Sequence, residues 1–154
     1  MLPHKHFVYG IVLSLILILI VPEIKFIGVL LTILSTTLLD ADHYFYYLFK
    51  KKDFSLINAY YFFKNNNKKF KKLPPLQRKN YYGGWCFFHG IEWLIIFFLS
   101  TIFISKYFGF IFIGIAFHLM LDYIEQWSFY LRKDKISLIY DFLKFKRLKD
   151  INEI

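Results

Sequence analysis

Residues 86–123 read CFFHGIEWLIIFFLSTIFISKYFGFIFIGIAFHLMLDY, and this run decides the class of the protein. It holds two apolar stretches, Cys86–Ser105 and Tyr107–Tyr123, with only Ser105-Lys106 at the join. Each is close to the roughly 20 residues that an α-helix needs to cross a bilayer. A similar pair precedes it, Phe7–Val21 and Ile24–Leu39, joined by Val21-Pro22-Glu23. Those two reach spanning length if their helices continue into His4–His6 and Ala41–Tyr47. Four such stretches in 154 residues leave almost nothing to cover them in a water-soluble core. The expected fold is therefore all-α: a four-helix transmembrane bundle of two helical hairpins, with helices at about 5–21, 24–47, 86–105 and 107–124. Residues 1–154 read as a single membrane domain.

Composition points the same way. Hydrophobic residues make up 57% of the chain and aromatics 23%, more than a soluble domain of this size can bury. That excess excludes disorder, while 7 Gly, 4 Pro and one Cys exclude collagen-like and disulfide-built classes. The N-terminal stretch follows Lys5 as a secretory signal would, but it ends in Val-Pro-Glu without a small-residue cleavage site, so a retained helix is expected.

The 20 basic residues outnumber the 11 acidic ones, and their placement gives an orientation. Eighteen fall at Lys5, between residues 40 and 85, or after Tyr123; Lys25 and Lys106 alone fall on the opposite side. The positive-inside rule then puts both termini and the 48–85 insert in the cytoplasm, in a multi-pass protein of the cell membrane. Cytoplasmic helical segments are expected between helices 2 and 3 and at the C-terminus. Tyr44–Lys52 extends helix 2, Phe54–Phe63 forms a helix with an aromatic face, and Lys64–Lys72 with its three asparagines reads as a solvated loop. A Pro74-Pro75 stop and a Gly83-Gly84 hinge follow. Residues of about 136–149 have the spacing of a helix lying on the membrane surface. No internal repeat is visible.

Ionisable groups in spanning helices cost at least about 2.5 kcal/mol each near the bilayer centre, and a simple anchor has no use for them. This chain places nine at helix ends: His4 and His6; Asp40, Asp42 and His43; His89 and Glu92; His118 and Asp122. They include all five histidines. Asp40/His43 and His89/Glu92 are spaced i, i+3 and His118/Asp122 i, i+4, so each pair is expected to share a helix face. In an N-inside bundle all nine meet at the cytoplasmic boundary, with His89 about one turn inside helix 3. Imidazoles and carboxylates projecting inward from four helices suit a bundle metal site. The ligands suit a divalent ion, zinc foremost with manganese or iron also compatible, and their number suits about one to three ions. The absence of thiolate argues against a structural zinc or iron–sulfur site, and Cys86 reads as packing. Helix caps at Asp40 and Asp42, buried ion pairs and a proton relay are the competing readings.

At these residues the sequence resembles the small, multi-pass, membrane-bound metal-dependent hydrolases, in particular their compact archaeal-type members. The resemblance rests on Pro3-His4-Lys5-His6, Leu39-Asp40-Ala41-Asp42-His43, Phe88-His89-Gly90-Ile91-Glu92 and His118-Leu119-Met120-Leu121-Asp122, and runs from His4 to about Gln126. It implies a hydrolase with bound divalent metal, distantly like zinc-dependent phospholipases C. The chain departs from the broader family at the third helix, where Phe88-His89-Gly90 with Glu92 replaces a His-Arg-Gly-x-Thr-His-Ser type element.

The expected function is hydrolysis of a phosphoester of a lipid or lipid-linked substrate through metal-activated water, with Glu92 and Asp122 as catalytic candidates. Arg78 and Lys79 are candidates for phosphate or headgroup binding, although orientation by the positive-inside rule explains most of the basic residues. The alternative is a non-catalytic metal-binding or structural membrane protein that recruits a partner through its basic segment. A transporter is disfavoured because nothing ionisable lies in the outer half of any helix. Membrane lipid is the expected partner. Nucleic acid is disfavoured, since aromatics beside spanning helices form the interfacial belt.

Overall fold

The structure, a computed structural model, describes residues 3–21, 24–130 and 136–153, and the chain is mostly helical. Pro22 and Glu23 of the first expected hairpin turn lie outside the described residues. Three helical runs are long and apolar enough to cross a membrane: Pro3–Ile20, Phe26–Lys51 and Tyr107–Ser128. The helices are α1 (Pro3–Ile20), α2 (Phe26–Leu38), α3 (Ala41–Lys51), α4 (Leu56–Lys72), α5 (Pro75–Arg78), α6 (Ile91–Phe103), α7 (Tyr107–Glu125) and α8 (Leu138–Phe145). A turn at Leu39-Asp40 separates α2 from α3 within the second run.

The third apolar stretch differs from expectation. Its helix, α6, has 13 residues and starts at Ile91 rather than Cys86. At 1.5 Å per residue it spans about 20 Å, against roughly 30 Å of hydrocarbon, so a fourth full-length span is not formed. The cause is a side chain from elsewhere in the sequence: the Phe88 amide donates to Asp42 Oδ2 at 3.0 Å instead of to a helical carbonyl. Residues 86–89 are non-helical, and Gly90 is extended at φ −116°, ψ 150° as the cap of α6.

The chain divides into two compact units. The first comprises described residues of 1–40 and 90–122. Here α1 packs along α2, with Gly10 against Thr36. A methyl group on Gly114 of α7 would lie 2.8 Å from the Thr32 carbonyl of α2, so only glycine permits this approach. The buried face of α2 is Gly28, Thr32 and Thr36, and each threonine hydroxyl returns to the carbonyl four residues back, at 2.9 and 2.6 Å. Small and hydroxylated residues thus face inward while large apolar ones face outward: Thr32 and Thr36 are 0% exposed, Leu19 82% and Phe103 79%. This inverts a water-soluble core and is the arrangement expected of helices solvated by lipid.

The second unit comprises described residues of 41–89 and 123–154. The Lys64–Lys72 segment, expected as a loop, is the C-terminal half of α4. Ser55 caps this helix by accepting the Asn58 amide. Ala59, Asn66 and Phe70 form its buried face, which leaves the lysines outward and three of them in the last turn, where the helix dipole favours cations. Asn66 donates to the Gly83 carbonyl at 3.3 Å, and Phe70 packs on the fully buried Ile151. The expected stop holds, since α4 ends at Lys72 before Pro74-Pro75. Tyr81-Tyr82 pairs in parallel with Lys149-Asp150, and Lys50 forms an ion pair with Asp150. The expected surface helix is the shorter α8, with Ile139, Phe142 and Leu143 exposed.

Candidate metal centres

In the first unit, His6, Gly10 and Ser14 define the buried face of α1. His118 and Asp122 are stacked one turn apart on α7, and Asp40 occupies the turn that ends α2. Ligand atoms of His6, Asp40, His118 and Asp122 all lie within 4.8 Å of one another, and none of the four residues is more than 4% exposed.

The break at Leu39-Asp40 orients this quartet. A continuing α-helix would send the Asp40 amide to the Thr36 carbonyl, but it goes to Thr37 O at 3.4 Å. The Thr36 carbonyl instead accepts Nδ1–H of His118 at 2.7 Å. That bond sets the tautomer, and Nε2 presents its lone pair to Asp40 Oδ1 and Asp122 Oδ2, each 3.8 Å away. His6 Nε2 stands 3.2 Å from Asp122 Oδ1 and 3.7 Å from Asp40 Oδ2. The His6 ring is positioned by stacking on His118, with centroids 3.8 Å apart, while its Nδ1 has no hydrogen-bond partner.

Distances near 3.8 Å are too long for hydrogen bonds. They suit ligands sharing an ion: N and O atoms bound at about 2.0–2.2 Å in tetrahedral geometry stand roughly 3.3–3.6 Å apart. A lone pair aimed at two buried carboxylates is repulsive unless a shared proton or a metal cation lies among them. The quartet can therefore hold a metal ion, and nitrogen with oxygen ligation fits zinc, manganese or iron alike.

The second unit holds another group. Asp42 Oδ2 accepts from Phe88 N and, at 2.8 Å, from Nδ1 of His89, which is 0% exposed. Cys86 Sγ lies 3.3 Å from His43 Nδ1, and ligand atoms of Asp42, His43 and Cys86 are again all within 4.8 Å of one another.

No family model, curated protein or solved structure matches the chain.

Seven of the nine expected ligands fall in or directly against these two groups. His89 is not on a helix, so it does not share a helical face with Glu92 as its spacing implied, nor does it sit a turn inside α6. His4 is exposed on α1, and Glu92 is half-buried in the first turn of α6; neither belongs to a closed ligand group among the described residues. Arg78 donates to the carbonyls of Leu73 and Lys71, at 2.9 and 3.1 Å, and so holds the turn between α4 and α5; Lys79 is exposed. Cys86 was read from sequence as packing, yet its thiol belongs to a ligand group. No local spacing signals this, because its partners Asp42 and His43 lie more than forty positions away.

Proposed function

We propose that the protein is a membrane-embedded, metal-dependent hydrolase whose centre is the quartet of His6, Asp40, His118 and Asp122. The observation that carries the reading is the His118 clamp: a ring fixed through Nδ1 by a backbone carbonyl, with Nε2 turned toward two buried carboxylates. Anchors and ion pairs need no such ligand geometry, whereas metal-binding histidines depend on it. The resemblance of the four sequence segments to small membrane-bound metal-dependent hydrolases supports the same reading.

The quartet would hold a divalent ion, zinc foremost, and the chemistry supplied there would be acidification of a water and polarisation of a phosphoryl oxygen. Asp40 and Asp122 supply the negative charge that retains it, and His6 and His118 complete the ligand set. Among the described residues of this unit the remaining carboxylate is Glu92, half-buried at the start of α6, and it takes the role of proton acceptor. The substrate class is a phosphoester of a lipid or lipid-linked molecule, reached at the cytoplasmic interface, where the basic residues concentrate.

The test uses the full chain in lipid nanodiscs, assayed for release of phosphate or headgroup from phospholipid and from soluble aryl phosphoesters, with and without chelator. Chelator-sensitive turnover, lost together with bound metal in His118→Ala and Asp122→Asn, is expected. Tight metal binding without turnover of any ester would favour the non-catalytic alternative.

A further inference from the structure

Cys86 is the chain's single cysteine, and its thiol is buried against an imidazole: Sγ is 3.3 Å from Nδ1 and 3.8 Å from Nε2 of His43. The neighbouring Asp42 is also buried. A carboxylate, an imidazole and a thiol brought to within 4.8 Å of one another, the carboxylate and thiol buried and the imidazole partly so, is an unusual concentration of ligating atoms. The backbone is committed to this placement. Asp42 Oδ2 takes both the Phe88 amide and the His89 ring, and these bonds hold residues 86–89 out of the helix that their hydropathy favours. That departure is what places Cys86 beside His43. Asp42 is oriented by the same two bonds.

We propose that Asp42, His43 and Cys86 form a second metal site, sharing no ligand with the quartet and selective for a thiophilic divalent ion such as zinc. A zinc ion with Zn–S near 2.3 Å and Zn–N near 2.0–2.1 Å in tetrahedral geometry sets S and N about 3.5 Å apart, close to the observed 3.3 Å. Three protein ligands leave one coordination position for water or a substrate atom. Binding takes the sulfur as thiolate, and its proton passes to solvent. The two sites then sort metals. The nitrogen and oxygen ligands of the quartet accept zinc, manganese or iron, whereas a thiolate disfavours the harder ions and favours zinc or cobalt, so manganese separates the two.

The experiment is cobalt substitution of the full-length protein in detergent. A thiolate-to-cobalt charge-transfer band in the near ultraviolet is expected in the wild type and in His118→Ala, and its loss is expected in Cys86→Ser. Manganese uptake by the quartet should be the same in Cys86→Ser as in the wild type, which separates this site from the proposed catalytic one. Should Cys86→Ser fail to fold, alkylation of the wild type by iodoacetamide gives the answer: zinc should slow modification of Cys86 at least about 10-fold, and chelator should restore it. Absence of the band in cobalt-loaded wild type overturns the proposal. So does an alkylation rate indifferent to zinc, which, if fast, would instead identify a nucleophilic Cys–His pair.

Discussion

His118 on α7 is bound to the main chain of α2: its Nδ1–H donates to the Thr36 carbonyl at 2.7 Å, a carbonyl released because the helix breaks at Leu39-Asp40. One local event, the turn, both exposes that acceptor and places the Asp40 carboxylate 3.8 Å from His118 Nε2. The clamp and the ligand it faces therefore come from the same five residues.

Replacing His118 by Ala should lower metal affinity by more than the roughly 10–100-fold that loss of an outer-sphere partner costs. Competition with a chromogenic chelator reads this directly. Affinity equal to the wild type would remove His118 from the ligand set.

Gly114→Ala should destabilise the first unit by about 1–3 kcal/mol, since the added methyl meets the Thr32 carbonyl of the main chain as well as the Ser35 side chain, and the carbonyl has no rotamer by which to move aside. The measurement is the thermal unfolding temperature in nanodiscs. An unchanged value would mean that α2 and α7 do not approach this closely.

Glu92→Gln should keep its metal and lose about 10²–10⁴-fold in turnover if the carboxylate accepts a proton in the reaction. Metal content and kcat are measured on the same preparation. Loss of metal alongside turnover would make Glu92 a ligand instead.

Asp53 gives a pH prediction outside the spanning helices. The Tyr47 hydroxyl, the Asn58 side-chain amide and the Ser55 amide all donate to its carboxylate and hold it below the usual carboxylate range. A folded-state pKa below the unfolded one means that this group stabilises the fold fully above the ordinary value near 3.9, and that the contribution fades as pH falls through the lower folded value. Comparing acid unfolding of the wild type with Asp53→Asn should show this pH dependence in the wild type alone.

The second run, expected as one helix over about 24–47, is broken at Leu39-Asp40 into α2 and α3. Hydropathy made α1 and α7 legible to within a few residues, because each is a continuous apolar run with polar ends. The third run misled for the same reason. Cys86-Phe-Phe is as apolar as the helix after it, and nothing local records that Asp42, more than forty positions away, takes the Phe88 amide. Asn65-Asn66-Asn67 looked like loop because its helical support is tertiary: Asn66 reaches Gly83, and Phe70 reaches Ile151. For the site, the i, i+4 pair of His118 and Asp122 was readable as a shared face. Cys86 was not, since its relation to His43 depends on an extended segment that no helical spacing describes.

The inverted packing of the first unit has a consequence for how its sequence can drift. Outward residues such as Leu19 and Phe103 are largely exposed and in a bilayer would face lipid, so any bulky apolar substitute would serve and these positions carry little information. Gly114 contributes almost nothing to hydropathy, yet leaves no room for a side chain, and Gly10 leaves little beside Thr36. A saturation scan of the spanning helices would therefore be most restrictive at their smallest side chains and most permissive at their largest.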